Sequence, residues 1–240
     1  MGTIVAIGGG EIRLGETFAI DRAIVEMTGR ACPRHLFIPT ASGEPEAYIQ
    51  TVADVYGRAL GCECEALRLK DGGDGPAELR RKLQEADIIY VGGGDTRMML
   101  GLWRNRGVDV LLREALDRGA ILSGLSAGSV CWFERAVSDS NSFEGGEDWD
   151  YCHVACLGFI SGTQTPHYGD RKSEERFRRF MSSASGKTLA IDNNCAIVIE
   201  GGDYRLIRSR PDSNAYVLRT VGGELSEESL EDRGGTDRFL

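Results

Sequence analysis

The sequence predicts a single α/β domain spanning residues 1–240, with a doubly wound, mostly parallel sheet that is flanked by helices. Through the first half of the chain, short apolar runs alternate with segments of helical periodicity, and several of the runs end in glycine-rich turns. Strand–helix units of this size form right-handed crossovers, which make the strands parallel and place helices on both faces of the sheet. Neither a repeat nor a low-complexity linker divides the sequence.

The first predicted strand, residues 3–7, is a continuous apolar run that ends in three glycines, Gly8 to Gly10. A run of this kind is typical of a parallel strand that is buried on both faces. Residues 17–27 follow with apolar side chains at helical spacing and predict a helix. The same reasoning predicts, in chain order, a strand over 35–39, a helix over 47–60, a strand over 64–69, a helix over 78–85, a strand over 87–91, helices over 96–104 and 108–118, and a strand over 120–122.

The last third of the chain has a different pattern. Short apolar stretches separated by Gly-Gly or Pro-Asp turns predict C-terminal hairpin strands at the edge of the sheet. From Glu224 onward the sequence is polar, and we expect a loosely ordered tail. The predicted strands are 190–191, 196–200, 204–208 and 216–220, and a charged helix over 171–181 precedes them.

Composition and charge restrict the class of partner. The formal net charge is −9 at pH 7, which argues against nucleic acid and against an anionic membrane as the main partner. No apolar run approaches the length that crosses a bilayer, and no basic segment precedes an apolar one at the N-terminus. We therefore expect a cytoplasmic protein.

Cysteine usage agrees with a reducing compartment. The chain has seven cysteines, an odd number, and several lie in apolar runs, as reduced thiols do. Cys62 and Cys64 form a C-x-C pair with no matching pair elsewhere in the sequence. Cys152, His153 and Cys156 lack a fourth ligand, so the sequence predicts no metal site.

Residues 124–128, with the sequence GLSAG, match the G-x-S-x-G pattern of a nucleophile elbow. An apolar strand precedes them and an apolar stretch without Pro or Gly follows, which is the strand, sharp turn and helix context that the pattern requires. Ser126 is the predicted nucleophile, with its hydroxyl at the carboxyl edge of the sheet and backbone N–H groups nearby. The pattern also recurs by chance in unrelated chains, so a serine hydrolase needs a base in the right place.

Only three histidines are available as that base. His35 opens an early strand at the amino edge of the sheet, away from a site at the carboxyl ends. His153 lies in a loop between two cysteines. His167 follows Pro166 in a rigid turn after an apolar strand, in another carboxyl-end loop, and it is the predicted base; the alternative is a surface histidine in a turn.

A second triglycine loop, residues 92–95, also follows a strand. Successive glycines let backbone amides approach a ligand closely, and Asp95 is placed to cap the next helix. Neither triglycine loop matches a phosphate-binding motif. We therefore predict that the N–H groups of Gly94 and Ala127 form an oxyanion hole, with Gly93 and Asp95 bordering the substrate.

Residues 92–96, residues 124–128 and the pair Pro166-His167 together resemble the peptidase E (aspartyl dipeptidase) and cyanophycinase family of serine peptidases, in the same order over most of residues 1–200. The resemblance implies a doubly wound sheet related to class I glutamine amidotransferases. It also implies Ser-His-acid hydrolysis of peptide bonds, often after an N-terminal aspartate. On this mapping Ser126 is the nucleophile and His167 is the base.

The third catalytic member is where the sequence departs from the family pattern. Some members carry a glutamate in a short I-D-E segment, and here the corresponding position is Asn193. A neutral amide orients an imidazole but stabilises imidazolium less than a carboxylate does. Asp192 serves if the register shifts, although one residue along a strand reverses the side chain's direction. Asp139, which resembles an aspartate implicated in peptidase E, is the rival, and we rank Asp192 ahead of it.

The expected reaction is acyl transfer to Ser126 and hydrolysis of the ester, with a short peptide as substrate and no metal or organic cofactor. Arg171 and Arg97 are candidates to hold a substrate carboxylate, and both are equally suited to surface ion pairs. The alternatives are a cyanophycinase-like β-aspartyl-arginine hydrolase and a non-catalytic binding protein on the same fold. A homodimer is compatible with the sequence.

Overall fold

The structure is a computed structural model that describes residues 2–70, 72–144 and 148–240. Within these residues the strands fall into two sheets. The strands are β1 (Ile4–Ile7), β2 (Arg34–Ile38), β3 (Glu63–Ala66), β4 (Ile88–Val91), β5 (Ile121–Leu125), β6 (Phe133–Ser138), β7 (Cys152–Ala155), β8 (Ile160–Thr165), β9 (Lys187–Ile191), β10 (Cys195–Glu200), β11 (Asp203–Arg208), β12 (Ala215–Val221), β13 (Glu224–Ser229) and β14 (Arg233–Gly235).

The helices cover the predicted segments between the strands. Helix α2 continues into a π-helical turn over Asp54–Ala59, so the helix predicted over 47–60 is confirmed in extent. No helix within the described residues combines the length and the apolar character that crossing a bilayer requires. The helices are α1 (Phe18–Met27), α2 (Glu46–Ala53), α3 (Pro76–Glu85), α4 (Thr96–Arg106), α5 (Val108–Asp117), α6 (Ala127–Val130) and α7 (Glu174–Ser182).

The main sheet contains the predicted parallel strands. Its order is β14-β11-β10-β1-β5-β4-β2-β3, and the five strands from β1 to β3 in this order pair in parallel. Strands β10, β11 and β14 extend the sheet antiparallel beyond β1, which confirms the hairpin predicted over 196–200 and 204–208 at the sheet edge. The strands predicted over 190–191 and 216–220 belong to β9 and β12, which lie in a second sheet. Strands β1, β4 and β5 are buried along their whole length, as is typical of parallel strands that are covered on both faces.

A second, six-stranded sheet has the order β13-β12-β9-β8-β6-β7, and the sequence patterns did not separate it from the first. Helix α6 is only one turn long, because the apolar stretch after the elbow continues as strand β6 rather than as a helix.

The prediction of a loosely ordered tail from Glu224 onward is wrong. Residues Glu224–Ser229 form β13, since backbone pairing with β12 holds an edge strand whose side chains are mostly exposed.

The register of the parallel strands brings glycine-rich ends together at one edge. Ala6 of β1 and Val91 of β4 both lie opposite Gly124 of β5. The carboxyl ends of β1, β4 and β5 therefore open into the first triglycine segment, the second triglycine loop and the elbow, side by side. This edge of the sheet is where ligands bind in open α/β folds.

A buried polar cluster joins α1 to the π-helical turn after α2 and to β2. The Asp21 carboxyl accepts hydrogen bonds from Thr17 Oγ1 at 2.8 Å and from Tyr56 Oη at 2.9 Å. Burial raises the pKa of Asp21 from about 3.8 to about 6. His35 stacks on Tyr56 with ring centroids 3.9 Å apart, and burial lowers its pKa to about 3.

We predict that Asp21→Asn removes a pH-dependent part of the stability. In the wild type, the unfolded carboxyl ionises near pH 4 whereas the folded one keeps its proton up to about pH 6, so stability is lost as pH rises through this window. Two pKa units correspond to about 3 kcal/mol. Urea unfolding at about pH 4 and about pH 7.5 should show that the free energy of unfolding of the variant, relative to that of the wild type, is larger at the higher pH. A difference that is independent of pH would contradict this account of Asp21; His35 is present in both proteins and cancels.

Candidate active site

Ser126 lies in the sharp turn that joins β5 to α6, with φ 58° and ψ −110°. Residues other than glycine rarely adopt a positive φ, so the surrounding packing must hold Ser126 in this conformation. A Cβ on Gly124 would overlap the carbonyl oxygen of Gly128, and a Cβ on Gly128 would overlap that of Val91. Both glycines of the G-x-S-x-G pattern are therefore required for the elbow to pack against β4.

The imidazole of His167 lies next to the Ser126 hydroxyl, with Nε2 at 2.9 Å from Oγ. His167 follows β8 of the second sheet, and it too has a left-handed backbone, with φ 52° and ψ 38°. Its N–H donates to the carbonyl of Gly8 at 3.0 Å, which ties the loop to the end of β1. The two side chains thus come from different sheets whose carboxyl ends meet.

Asn193 occupies the other side of the imidazole. Its Oδ1 lies 2.6 Å from His167 Nδ1, and its Nδ2 donates to Asp170 Oδ2 at 2.7 Å. An amide oxygen only accepts, so this network assigns the proton of the neutral ring to Nδ1 and leaves the Nε2 lone pair facing Ser126. That tautomer is the one a general base needs.

The structure does not bring the two carboxylates favoured from sequence to this imidazole. Asp192 lies one residue before Asn193 and points elsewhere, accepting from the N–H groups of Gly169 and Asn214 at 2.9 Å each. Burial raises its pKa. Asp139 pairs with Lys172 at 2.6 Å on the rim of the cavity described below.

Gly9 is a site residue that the sequence reasoning missed. A Cβ at this position would overlap both Asn193 Oδ1 and His167 Nδ1, so the pair exists only because residue 9 has no side chain. The sequence pattern predicts only a turn for the triglycine at the end of β1. Its position beside the strand that leads to Ser126 was the signal available for a site role.

Asp170 was also missed. It is three residues after His167 in the same loop, and its N–H donates to the His167 carbonyl at 2.9 Å. A carboxylate so close to the predicted base was the available signal. The other histidines lie elsewhere: His35 is in the buried cluster, and His153 packs on Phe180 with its pKa lowered by burial.

The second triglycine loop lies against Ser126, and a Cβ on Gly93 would be 3.3 Å from the Ser126 Cβ. The N–H of Asp95 donates to Ala41, and its side chain caps α4 by accepting from Arg97 N–H at 2.9 Å. Asp95 therefore stabilises the loop and the start of α4.

Gly94, at φ 138°, packs so closely on Ala41 that a side chain on residue 94 would overlap it. Its N–H donates to no backbone carbonyl of the described residues.

Ala127 is the first residue of α6, so its N–H has no partner within the helix. Gly94 and Ala127 both line a cavity of about 300 Å³ together with Ser126 and His167. The wall of this cavity therefore combines a hydroxyl, an imidazole and two backbone segments with N–H groups available for an oxyanion.

Arg171 lines the same cavity, and its side chain is 12% exposed. The guanidinium lies over the rings of Tyr168 and Phe177, 4.2 and 4.6 Å from their centroids, and Nε donates to Glu174. Its Nη1 is buried and has no hydrogen-bond partner among the described residues. Arg97, the other candidate from sequence, instead donates to Glu144, Asn141 and Cys152.

Comparison with known proteins identifies the family of the chain. The model of peptidase family S51 matches residues 4–207. The chain is 33% identical over 236 residues to the uncharacterized peptidase YgaJ of Bacillus subtilis, covering 96% of this chain and 97% of that protein. It is 26% identical over 242 residues to peptidase E of Streptomyces coelicolor, covering 91% of each.

A solved structure of a peptidase from an acI-B1 actinobacterium has the same fold, with a TM-score of 0.72, 19% identity and coverage of 98% of this chain and 97% of that one. The α/β fold with helices flanking the sheet is therefore shared with a peptidase. The family match over most of the chain, together with the YgaJ relationship, establishes that this chain is a peptidase E-like enzyme and belongs to peptidase family S51.

Proposed function

We propose that the chain is a serine-type dipeptidase that hydrolyses short peptides through an acyl-enzyme on Ser126. The observation that carries the proposal is the 2.9 Å contact between Ser126 Oγ and His167 Nε2 at the wall of the cavity. A hydroxyl is a weak nucleophile until a base accepts its proton, and a neutral imidazole in this tautomer is suited to do so. A cavity framed by loops admits a short peptide and excludes a folded chain.

In the acylation step, His167 Nε2 takes the Ser126 proton while Oγ bonds to the substrate carbonyl carbon. The carbonyl oxygen becomes negative, and the N–H groups of Gly94 and Ala127 stabilise it. The imidazolium then gives its proton to the leaving amine as the C–N bond breaks. Water attacks the ester by the same path, which releases the acid and restores the hydroxyl.

We assign Asn193, rather than Asp192 or Asp139, as the third member of this catalytic group. Its 2.6 Å contact with His167 Nδ1 supports the assignment, because it holds the imidazole in place and sets its tautomer. The amide carries no charge and so stabilises the imidazolium less than a carboxylate does. Tight orientation of the ring therefore matters more in this chain.

We further propose that the substrate carries an N-terminal aspartate and that Ser126 attacks the carbonyl group of this residue. The position of Arg171 on the cavity wall supports this preference, because a guanidinium pairs with a carboxylate through charge-assisted hydrogen bonds. The likeness to a probable alpha-aspartyl dipeptidase of Drosophila melanogaster, 25% identical over 198 residues, agrees with it. A cytoplasmic location is supported by the seven cysteines, all of them free thiols.

Ser126→Ala should lower kcat more than about 10³-fold, because no acyl-enzyme forms. A serine-directed fluorophosphonate should add one adduct to the wild type, located on Ser126 by peptide mass spectrometry, and none to the variant. Ser183→Ala, at an exposed helix end, is the matched control and should behave as the wild type. A folded wild type that forms no adduct on Ser126 would instead support a non-catalytic binding protein.

Gly9→Ala should lower kcat more than about 100-fold, because the new methyl group displaces the His167–Asn193 pair from its geometry. Gly101→Ala is the matched control, since its Cβ meets no atom within 4 Å and alanine favours a helix. Steady-state kinetics and thermal unfolding of both variants test this. Full activity in the folded Gly9→Ala protein would show that the pair is not needed for turnover.

Arg171→Met should lower kcat/KM for Asp-Leu about 10- to 100-fold more than for the isosteric Asn-Leu, because only aspartate offers a carboxylate. Arg97→Met is the control and should leave the Asp-Leu to Asn-Leu ratio unchanged. The panel should include β-Asp-Arg. Equal losses on Asp-Leu and Asn-Leu would refute the acidic preference, and preferential cleavage of β-Asp-Arg would favour the cyanophycinase-like alternative.

A further inference from the structure

The Asn193 amide has two possible orientations toward the imidazole that differ chemically, whereas the two oxygens of a carboxylate in its place would be equivalent. The two ends of an amide have nearly the same shape, so either can face the imidazole. With Oδ1 facing Nδ1, the ring holds its proton on Nδ1 and accepts from Ser126 at Nε2. With the NH₂ group facing Nδ1, the proton moves to Nε2 and the ring cannot take the serine proton.

The contacts of Asn193 on its far side resolve this choice. Asn193 Nδ2 lies 2.7 Å from Asp170 Oδ2, and a carboxylate can accept this hydrogen bond but cannot donate one. If the amide turned over, two oxygens would face each other at hydrogen-bond distance. Asp170 thus favours the orientation in which Oδ1 contacts the imidazole at 2.6 Å.

The local backbone supports the same arrangement. Asp170 and His167 belong to one turn, in which the Asp170 N–H donates to the His167 carbonyl at 2.9 Å. The base and the carboxylate are therefore fixed relative to each other, and Asn193 bridges them from a different loop. Asp192, the neighbouring carboxylate, does not compete for the amide because both its oxygens accept from backbone N–H groups.

We propose that Asp170 is a positioning residue, which sets the orientation of the Asn193 amide and through it the tautomer of His167. The four groups then form a chain from Ser126 through His167 and Asn193 to Asp170, with donors and acceptors alternating in one sense. Asn193 carries no charge, and the negative charge of this chain of groups lies on Asp170, one group further from the imidazole. The inference rests on the proposed function for its catalytic consequence, but the tautomer can be measured without turnover.

The direct test is ¹⁵N NMR of the imidazole nitrogens, assigned to His167 by comparison with His167→Ala. The neutral ring of the wild type should carry its proton on Nδ1 alone, whereas Asp170→Ala should show a mixture of tautomers. Asp170→Ala should also lower kcat about 10-fold or more with little change in KM. Asp117→Asn, at an exposed carboxylate at the C-terminal end of α5, is the control and should change neither readout.

A swap of the two side chains separates positioning from a merely structural role. Asn193→Asp alone places two carboxylates at about the 2.7 Å separation now spanned by a hydrogen bond, so we expect low activity. Asp170→Asn combined with Asn193→Asp restores a donor facing an acceptor and puts a carboxylate on the imidazole. The double variant should exceed the Asn193→Asp single variant about 10-fold in kcat.

The outcomes distinguish this inference from the proposed function. A single Nδ1–H tautomer in Asp170→Ala, or a double variant no better than Asn193→Asp, overturns the role of Asp170 even if the wild type is a good peptidase. Absence of both peptidase activity and phosphonate labelling in the wild type overturns the proposed function, while the tautomer measurement still decides the role of Asp170.

Discussion

Three successive backbone carbonyls at the end of β1 hold the candidate site together. Ile7 accepts from the N–H of Ser126 at 3.1 Å, Gly8 from that of His167 at 3.0 Å, and Gly9 from that of Asn194 at 2.9 Å. The three donors follow three different strands, two of them in the second sheet. Because β1 is buried between β5 and β10, its end is a fixed reference on which serine, imidazole and amide are placed.

This dependence explains which parts of the site could be predicted from the sequence. The elbow at Ser126 is encoded locally, since its two glycines and flanking apolar segments are contiguous. His167 was found because a proline-anchored turn after a strand places its side chain at a carboxyl edge. Gly9 could not be assigned, because the atoms that exclude its side chain belong to residues more than 150 positions away in the sequence.

The fold was predictable to a similar degree. Alternating strands and helices identified the parallel half of the main sheet, whose pairings connect segments of one repeated pattern. The second sheet was not separable from the first, because the composition of β6, β8 and β9 does not specify which strands they pair with. The side chain that contacts the far side of the His167 imidazole could not be predicted for a related reason: Asp192 and Asn193 are adjacent in sequence, yet they face different partners.

Backbone strain is concentrated where these long-range contacts converge. Among the described residues, the non-glycine residues with positive φ are Glu44, Ser126, His167 and Asn194, and the last three are those whose N–H groups bond to the end of β1. Each such conformation costs on the order of 1–3 kcal/mol and persists only when the surroundings determine it. Relaxing any of them would break its bond to β1 and move a side chain of the site. The hydrogen bonds to the end of β1 therefore maintain the strained conformations. In this way tertiary packing holds the serine and the imidazole within proton-transfer distance before a substrate arrives.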